Sequence, residues 1–323
     1  MCDSCGCNKT YNDDIKIIGY TKTSEGQVDT ITHHHVNHHG HEHVEAHRHE
    51  HGHEHSHGHE HSHEHEHSHE HEHSHEHEHM HYHDDHDESA ASEKIADGPR
   101  LISINEDVLA ENERLAERNR GFFTAKGILV LNILSSPGSG KTTLICKTIS
   151  KLKNELKVAV IVGDLATDND AQRLKAVCDR VVQINTGTAC HLDSRMIASA
   201  IQRFDIDSTD VLIIENVGNL VCPAAYDLGE NIRVVLLSVT EGEDKPLKYP
   251  PSFYSANATV ISKIDLAQAV DFNKELALSN IRKVNPRGII FEVSAKTEEG
   301  LPNWVKYIKD CYHDVKSKRN LLI

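Results

Sequence analysis

No apolar run reaches the roughly 18 residues that a bilayer-spanning helix needs, so nothing in the sequence reads as a membrane segment. The N-terminus is polar and has no apolar h-region, which gives no signal peptide. Basic excess is also missing: 34 Lys and Arg face 50 Asp and Glu, for a formal charge of −16. Without a positive surplus to neutralise phosphates, nucleic acid is not an expected partner. The eight cysteines form no disulfide framework, because Cys2, Cys5 and Cys7 crowd the start while Cys146, Cys178, Cys190, Cys222 and Cys311 are scattered. These absences predict a cytoplasmic, reducing setting in which thiols stay free for metal.

What is present is unevenly distributed. Residues 33–88 hold 27 of the 29 histidines, with 15 acidic residues and one basic one, Arg48, so this tract alone carries −14. It alternates His with Glu or Ser and has almost no apolar residues. It cannot bury enough surface to offset its ordering entropy, which predicts disorder without metal. Four zones follow: an N-terminal metal-binding segment at 1–32, the disordered tract at 33–88, a helical lead-in at 89–127 and a globular domain at 128–323. In the lead-in, Val108, Leu109, Leu115, Ala116, Phe122 and Phe123 recur at helical spacing and predict a helix over 105–124.

In the globular domain, β-branched apolar runs alternate with helical patterns. Strands are predicted at 128–134, 158–162, 180–184, 211–215, 234–239, 259–262 and 289–293. Helices are predicted at 141–156, 169–177, 191–204, 272–284 and 301–315. Strands this continuously apolar are buried on both faces, as in parallel sheets. The expected fold is therefore α/β: a mostly parallel central sheet of about seven strands flanked by helices. Ligands of such sheets gather at the carboxyl ends of the strands, where every motif below falls.

The first motif is SSPGSGKTT at 135–143, between a predicted strand and a predicted helix. Pro137, Gly138, Ser139 and Gly140 let the backbone wrap phosphate oxygens, and the helix N-terminus adds its positive dipole end. Lys141 reaches the β and γ phosphates, Thr142 supplies a hydroxyl to Mg²⁺, and Thr143 completes the loop. Ser135 stands where the usual pattern has glycine. The apolar strand at 211–215 ends in an acid, Glu215, placed to hold Mg²⁺ through water, and Gly218 can present an N–H to the γ-phosphate. Asp164 ends another strand and is a candidate for Mg²⁺ or for positioning water; Asp170 and Arg173 on the following helix are candidates for a switch. Near the end, Ser262-Lys263-Ile264-Asp265 follows a strand. Asp265 can accept from guanine N1–H and N2–H₂, a pattern adenine does not offer, and Lys263 lays its stem over the ring. Ser262 replaces the usual Asn. Ser294, Ala295 and Lys296 would back the base from the next strand. The set reads as a GTP site.

Three metal signals accompany it. Cys2, Cys5 and Cys7 place three thiolates within six residues, enough for tetrahedral Zn²⁺ or square-planar Ni²⁺ with the terminal amine as a fourth ligand. Cys190, His191 and Cys222 lie on loops that neighbouring parallel strands bring to one edge of the sheet, leaving a fourth position open to a second copy of the chain. The histidines of the tract, with unperturbed pKa values near ~6.5, are mostly neutral and available at pH 7.

These residues together resemble the HypB family of nickel-insertion GTPases of [NiFe]-hydrogenase maturation. The resemblance runs from about Arg100 to the C-terminus and rests on SSPGSGKTT, GDLATDND at 163–170, NTGTACHLD at 185–193, ENVGNLVCPAAYDLGE at 215–230 and SVTEGEDKPLKYP at 238–250. The MCxxCGC start resembles the nickel site of some members and the histidine tract the nickel-storing insert of others. The resemblance implies a P-loop GTPase with slow intrinsic turnover that works as a nucleotide-dependent homodimer. It implies nickel or zinc at Cys190, His191 and Cys222, a small zinc accessory protein of the HypA type as partner, and the hydrogenase large-subunit precursor as recipient. A nickel storage or buffer protein, or a urease-type nickel GTPase, is the alternative.

Overall fold

The computed structural model describes residues 16–20, 32–36, 42–46, 100–165, 168–203 and 205–321. Contacts divide the chain into one unit of Met1–Arg48 with Ile102–Ile323 and a second of His49–Leu101, which lies almost wholly outside the described residues. Cys2, Cys5, Cys7 and most of the histidine tract also lie outside them.

The main sheet contains β1 (Lys16–Tyr20), β4 (Leu129–Ser135), β5 (Val158–Asp164), β6 (Val181–Asn185), β7 (Val211–Glu215), β8 (Ile232–Ser238), β9 (Ala258–Ser262) and β10 (Ile289–Val293). Their order is β1-β6-β5-β7-β4-β8-β9-β10. The seven strands from β6 to β10 are parallel, as predicted, and β1 adds to β6 antiparallel. A separate antiparallel pair, β2 (Thr32–Val36) and β3 (Glu42–Ala46), forms within the start of the tract whose composition predicts disorder. Thr32, Val36 and Val44 give this stretch the β-branched residues that the rest of the tract lacks.

Alternation along the strands fills two layers. Leu129, Leu131 and Ile133 of β4 face one way, onto Leu144, Ile145 and Ile149 of α2 (Lys141–Leu152), Leu174 of α3 (Asn169–Lys175) and Trp304 and Ile308 of α8 (Leu301–Asn320). Val130 faces the other way with Ile161, Val182 and Ile214, onto Phe123 of α1 (Arg100–Lys126) and Met196 and Ile197 of α4 (Ser194–Ile201). Beyond β8, Leu237 and Ile261 pack with Phe253 of α6 (Pro250–Ser255) and Ile281 of α7 (Lys274–Val284), after the single turn of α5 (Lys245–Lys248). Each fully buried Leu, Ile or Phe stabilises by about 1.5–3 kcal/mol. Trp304 stacks edge-on against Phe291 of β10 and donates its Nε1–H to Thr148 Oγ1 of α2 at 3.0 Å.

The lead-in helix is longer than its apolar spacing predicts and packs as part of the globular body. Asn119 on α1 is buried and donates to Ser194 O (2.9 Å) and Leu228 O (3.2 Å). The helix predicted over 191–204 starts instead at Ser194, because the Asp193 side chain accepts from Met196 N at 2.7 Å and caps it. That cap leaves Cys190 and His191 on the loop before the helix.

Candidate functional site

The phosphate loop leaves the carboxyl end of β4, the strand at the centre of the sheet between β7 and β8. Gly138 and Gly140 sit at φ 74° and 97°, in the left-handed region where a side chain would strain the loop. The Lys141 ammonium is buried and donates to Ser135 Oγ at 2.9 Å, and Ser139 Oγ bonds to the same hydroxyl. Ser135, the residue in place of glycine, thus holds the lysine in the position from which it would reach a phosphate. Burial draws the Lys141 pKa down, against the opposing pull of Glu215.

Thr142 Oγ1 donates to Glu215 Oε1 at 2.8 Å, so the two residues expected at Mg²⁺ meet. The second Glu215 oxygen is buried and has no hydrogen-bond partner. Burial pushes this carboxyl up to about 7, with Lys141 and then Thr142 drawing it back. A hard cation with oxygen ligands fits this set, since it would satisfy the orphaned oxygen and restore the charged form. Gly218 lies against the loop: a Cβ there would meet Pro137 at 3.2 Å. Arg173 on α3 donates to Thr143 Oγ1 at 2.8 Å and pairs with Asp170 at 3.4 Å, which ties the candidate switch helix to the loop. Asp164 closes β5, and its carbonyl accepts from Thr186 N at 2.9 Å.

The Ser262–Asp265 segment, expected to read the base, reaches the loop from the far side. Lys263, held at φ 58°, donates from Nζ to Gly138 O at 2.6 Å. Ser262 Oγ donates to Ser139 O at 2.8 Å, so the residue in place of Asn ties β9 to the phosphate loop. Asp265 Oδ1 accepts from Ser294 Oγ at 2.6 Å, and Ala295 and Lys296 form the turn that follows.

At the same carboxyl edge Cys190, His191 and Cys222 converge, their ligand atoms all within 4.8 Å of one another. His191 is 5% exposed and its Nε2 has no hydrogen-bond partner. Burial lowers its pKa, and Asp193 opposes the shift. The Tyr226 ring stacks on the imidazole at 3.8 Å between centroids. Two thiols and a neutral imidazole suit a borderline-soft divalent ion.

A buried polar chain joins the two sites. Asn216, next to Glu215, donates to Asn132 Oδ1 (3.2 Å), and Asn132 donates to Glu230 Oε1 (3.2 Å). Arg233 donates to that same oxygen (2.8 Å) and to the carbonyls of Ala224 (3.0 Å) and Tyr226 (2.9 Å), in the turn that begins at Cys222.

The sequence from 129 to 292 matches the model of the CobW/HypB/UreG nucleotide-binding domain family. The hydrogenase maturation factor HypB of Escherichia coli K12 is 50% identical over 210 residues, covering 65% of this chain and 72% of that protein. The probable hydrogenase maturation factor HypB of Methanocaldococcus jannaschii is 39% identical over 216 residues, covering 67% of this chain and 98% of that one. The chain belongs to the HypB family of hydrogenase maturation factors. It is a P-loop GTPase. Among solved structures, HypB of Helicobacter pylori in complex with nickel superposes with a TM-score of 0.60 at 39% identity, over 63% of this chain and 96% of that one. HypB of Archaeoglobus fulgidus gives the same TM-score at 41% identity, over 63% and 99%.

Within the HypB framework, several residues escaped sequence reasoning. Asn132 and Arg233 are polar residues inside apolar strands, and that misfit was the available signal. Tyr226 and Glu230 sit in the ENVGNLVCPAAYDLGE stretch without a motif role. Glu241, whose buried carboxylate oxygens lack hydrogen-bond partners, lies 3.9 Å from Lys245 just beyond β8.

Proposed function

We propose that the chain is a cytoplasmic GTP-hydrolysing nickel metallochaperone that helps insert nickel into the [NiFe]-hydrogenase large subunit. The observation that carries the reading is the convergence of Cys190, His191 and Cys222 at the sheet edge that also bears the phosphate loop. The Helicobacter pylori relative solved with nickel supports the same metal. Thr142 and Glu215 would hold Mg²⁺, which neutralises charge on the β and γ phosphates. Lys141 and the backbone of 137–143 bind the triphosphate, Gly218 contacts its γ end, and Asp164 positions water. Lys263, Asp265 and the 294–296 turn recognise guanine.

In this reading GTP orders the segments around Asp164 and Gly218 and favours a homodimer. The rearrangement passes through Asn216, Asn132, Glu230 and Arg233 to the turn that carries Cys222. Hydrolysis relaxes the trio and releases nickel to a HypA-type accessory protein and the large-subunit precursor. Unassisted turnover on the order of 10⁻⁴–10⁻² s⁻¹ is expected for such a switch. Zn²⁺ competes for the same donors. Cys2, Cys5 and Cys7 form a second metal site, and the histidine tract stores nickel. Because linkage is reciprocal, metal and nucleotide change each other's affinity equally. Nickel and zinc affinities of the trio, measured with GDP and with a non-hydrolysable GTP analogue, are expected to differ. Equal affinities in both states would remove the coupling and favour plain storage.

A further inference from the structure

The buried stripe of α1 has an uncommon composition. Asn112, Ala116, Asn119 and Phe123 follow one another at helical spacing, so they share one face, and each is at most 5% exposed. Two of them are amides. A buried amide costs stability unless its polar atoms are bonded. The partners these two find are groups of two loop segments, Ser194 on one and Asp227 and Leu228 on the other.

Those segments carry the trio. One leaves β6 with Cys190 and His191 and reaches Ser194 three residues later; the other leaves β7 with Cys222 and reaches Asp227 five residues later. β5 lies between β6 and β7 in the sheet, so strand pairing does not join the two. Asn112 bridges them: its Oδ1 accepts from Ser194 N at 2.9 Å, and its Nδ2 donates to Asp227 O at 2.8 Å. Ser194 Oγ closes the triangle by donating to Asp227 O at 2.6 Å. Two turns along the helix, Asn119 repeats the bridge between Ser194 O and Leu228 O. Gly229 lets the second segment lie on the helix, since a Cβ there would stand 2.7 Å from Ala116 O and 2.8 Å from Arg120 N. Nearer the sulfurs the segments meet through longer bonds, Asn219 Nδ2 to Cys190 O at 3.4 Å and Leu192 N to Asn216 Oδ1 at 3.3 Å.

We propose that Asn112 and Asn119 are positioning residues for a divalent metal ion at Cys190, His191 and Cys222: α1 fastens the two segments together, so the three donors stand within reach of one ion before it arrives. The inference rests on the reading of the trio as a metal site. Neither amide is a ligand. An ion that meets donors already placed spends none of its binding energy on ordering two loops. Without the fastener the competent arrangement is one of several, and apparent affinity falls with its fractional population. α1 packs on the sheet face opposite to α2, the phosphate-loop helix, so the fastener acts on the metal site and not on the nucleotide cleft.

The test uses the full chain with Cys2, Cys5 and Cys7 replaced by Ala, and Ni²⁺ alone. Thiolate charge-transfer absorption then reads the trio, and the histidine tract competes equally in parent and variants. Asn112→Ala is expected to lower Ni²⁺ affinity about tenfold and to shift the band, while GTP hydrolysis in nickel-free buffer stays within about twofold. Ser194→Ala removes one hydroxyl, keeps the helix contacts, and is expected to lower affinity about threefold; it carries the test if Asn112→Ala does not fold. Phe123→Leu disturbs the same buried stripe but keeps both amides, and is expected to leave affinity and band as in the parent. Parental affinity and band in the Asn112 and Ser194 variants, or an equal loss in Phe123→Leu, overturns the fastener alone. No charge-transfer band in the parent overturns the trio as a metal site.

Discussion

The nucleotide cleft and the thiol–imidazole trio share one edge of the sheet and are finished in opposite ways. In the cleft the expected ligand-binding groups are mostly bonded to one another: Lys141 to Ser135, Thr142 to Glu215, Lys263 to Gly138 O and Asp265 to Ser294. Nucleotide binding there exchanges one set of hydrogen bonds for another, at a net gain of about 0.5–1.5 kcal/mol each. In the trio, His191 Nε2 is buried without a partner beside two converging sulfurs. An ion entering there removes a desolvation penalty of about 1–3 kcal/mol in addition to forming its own bonds. The cleft is held ready by stand-ins; the trio is held open by packing, with Tyr226 against one face of the imidazole.

Lys141→Ala strikes the cleft hardest. It is expected to lower GTP hydrolysis by at least about 10²–10³-fold, while Ni²⁺ titration of the trio stays as in the parent. Retained hydrolysis would remove the cleft from the comparison. Next comes the link between the two regions. Glu230→Ala leaves the Arg233 charge buried without its carboxylate, since the two side chains are 5% and 11% exposed. A loss of about 3–5 kcal/mol is expected in denaturant melts. Replacing Arg233 by Met as well is expected to recover part of it, yet to leave metal affinity insensitive to nucleotide. His191→Ala attacks the trio: Ni²⁺ affinity measured calorimetrically is expected to fall at least about 100-fold, with GTP affinity in metal-free buffer unchanged. If GTP affinity falls in parallel, the two regions are not separable as described. The smallest effect belongs to Ser262→Ala, which removes one hydrogen bond to Ser139 O and is expected to weaken GTP binding by about 1 kcal/mol.

Regular elements were legible because their periods are strong. The seven parallel strands emerge within one or two residues of the apolar runs that predict them, and the order of motifs along the chain places the phosphate loop, Glu215 and Asp265 at one edge. The convergence of Cys190, His191 and Cys222 was legible from the same rule of neighbouring strand ends. What escaped has a common cause. β1, with the sequence KIIGY, is short, lies in a polar segment, and gains its place by pairing with an edge rather than by a pattern of its own. The Asn132–Glu230–Arg233 chain joins residues about 100 apart, and no local rule pairs an amide in one strand with a guanidinium four strands later in the chain. The start of α4 turned on a single cap, Asp193, which outweighed the apolar spacing of the residues before it.

The contact of Trp304 with Thr148 has a practical consequence. It is the single tryptophan of the chain, and its indole N–H is bonded to the helix that begins at Lys141. Intrinsic emission therefore comes from one buried fluorophore attached to the phosphate-loop helix, on the face of the sheet away from α4, the helix that follows the trio. Any tilt of that helix on nucleotide binding would carry its own optical label, and a titration could be read without attaching a dye near either set of thiols.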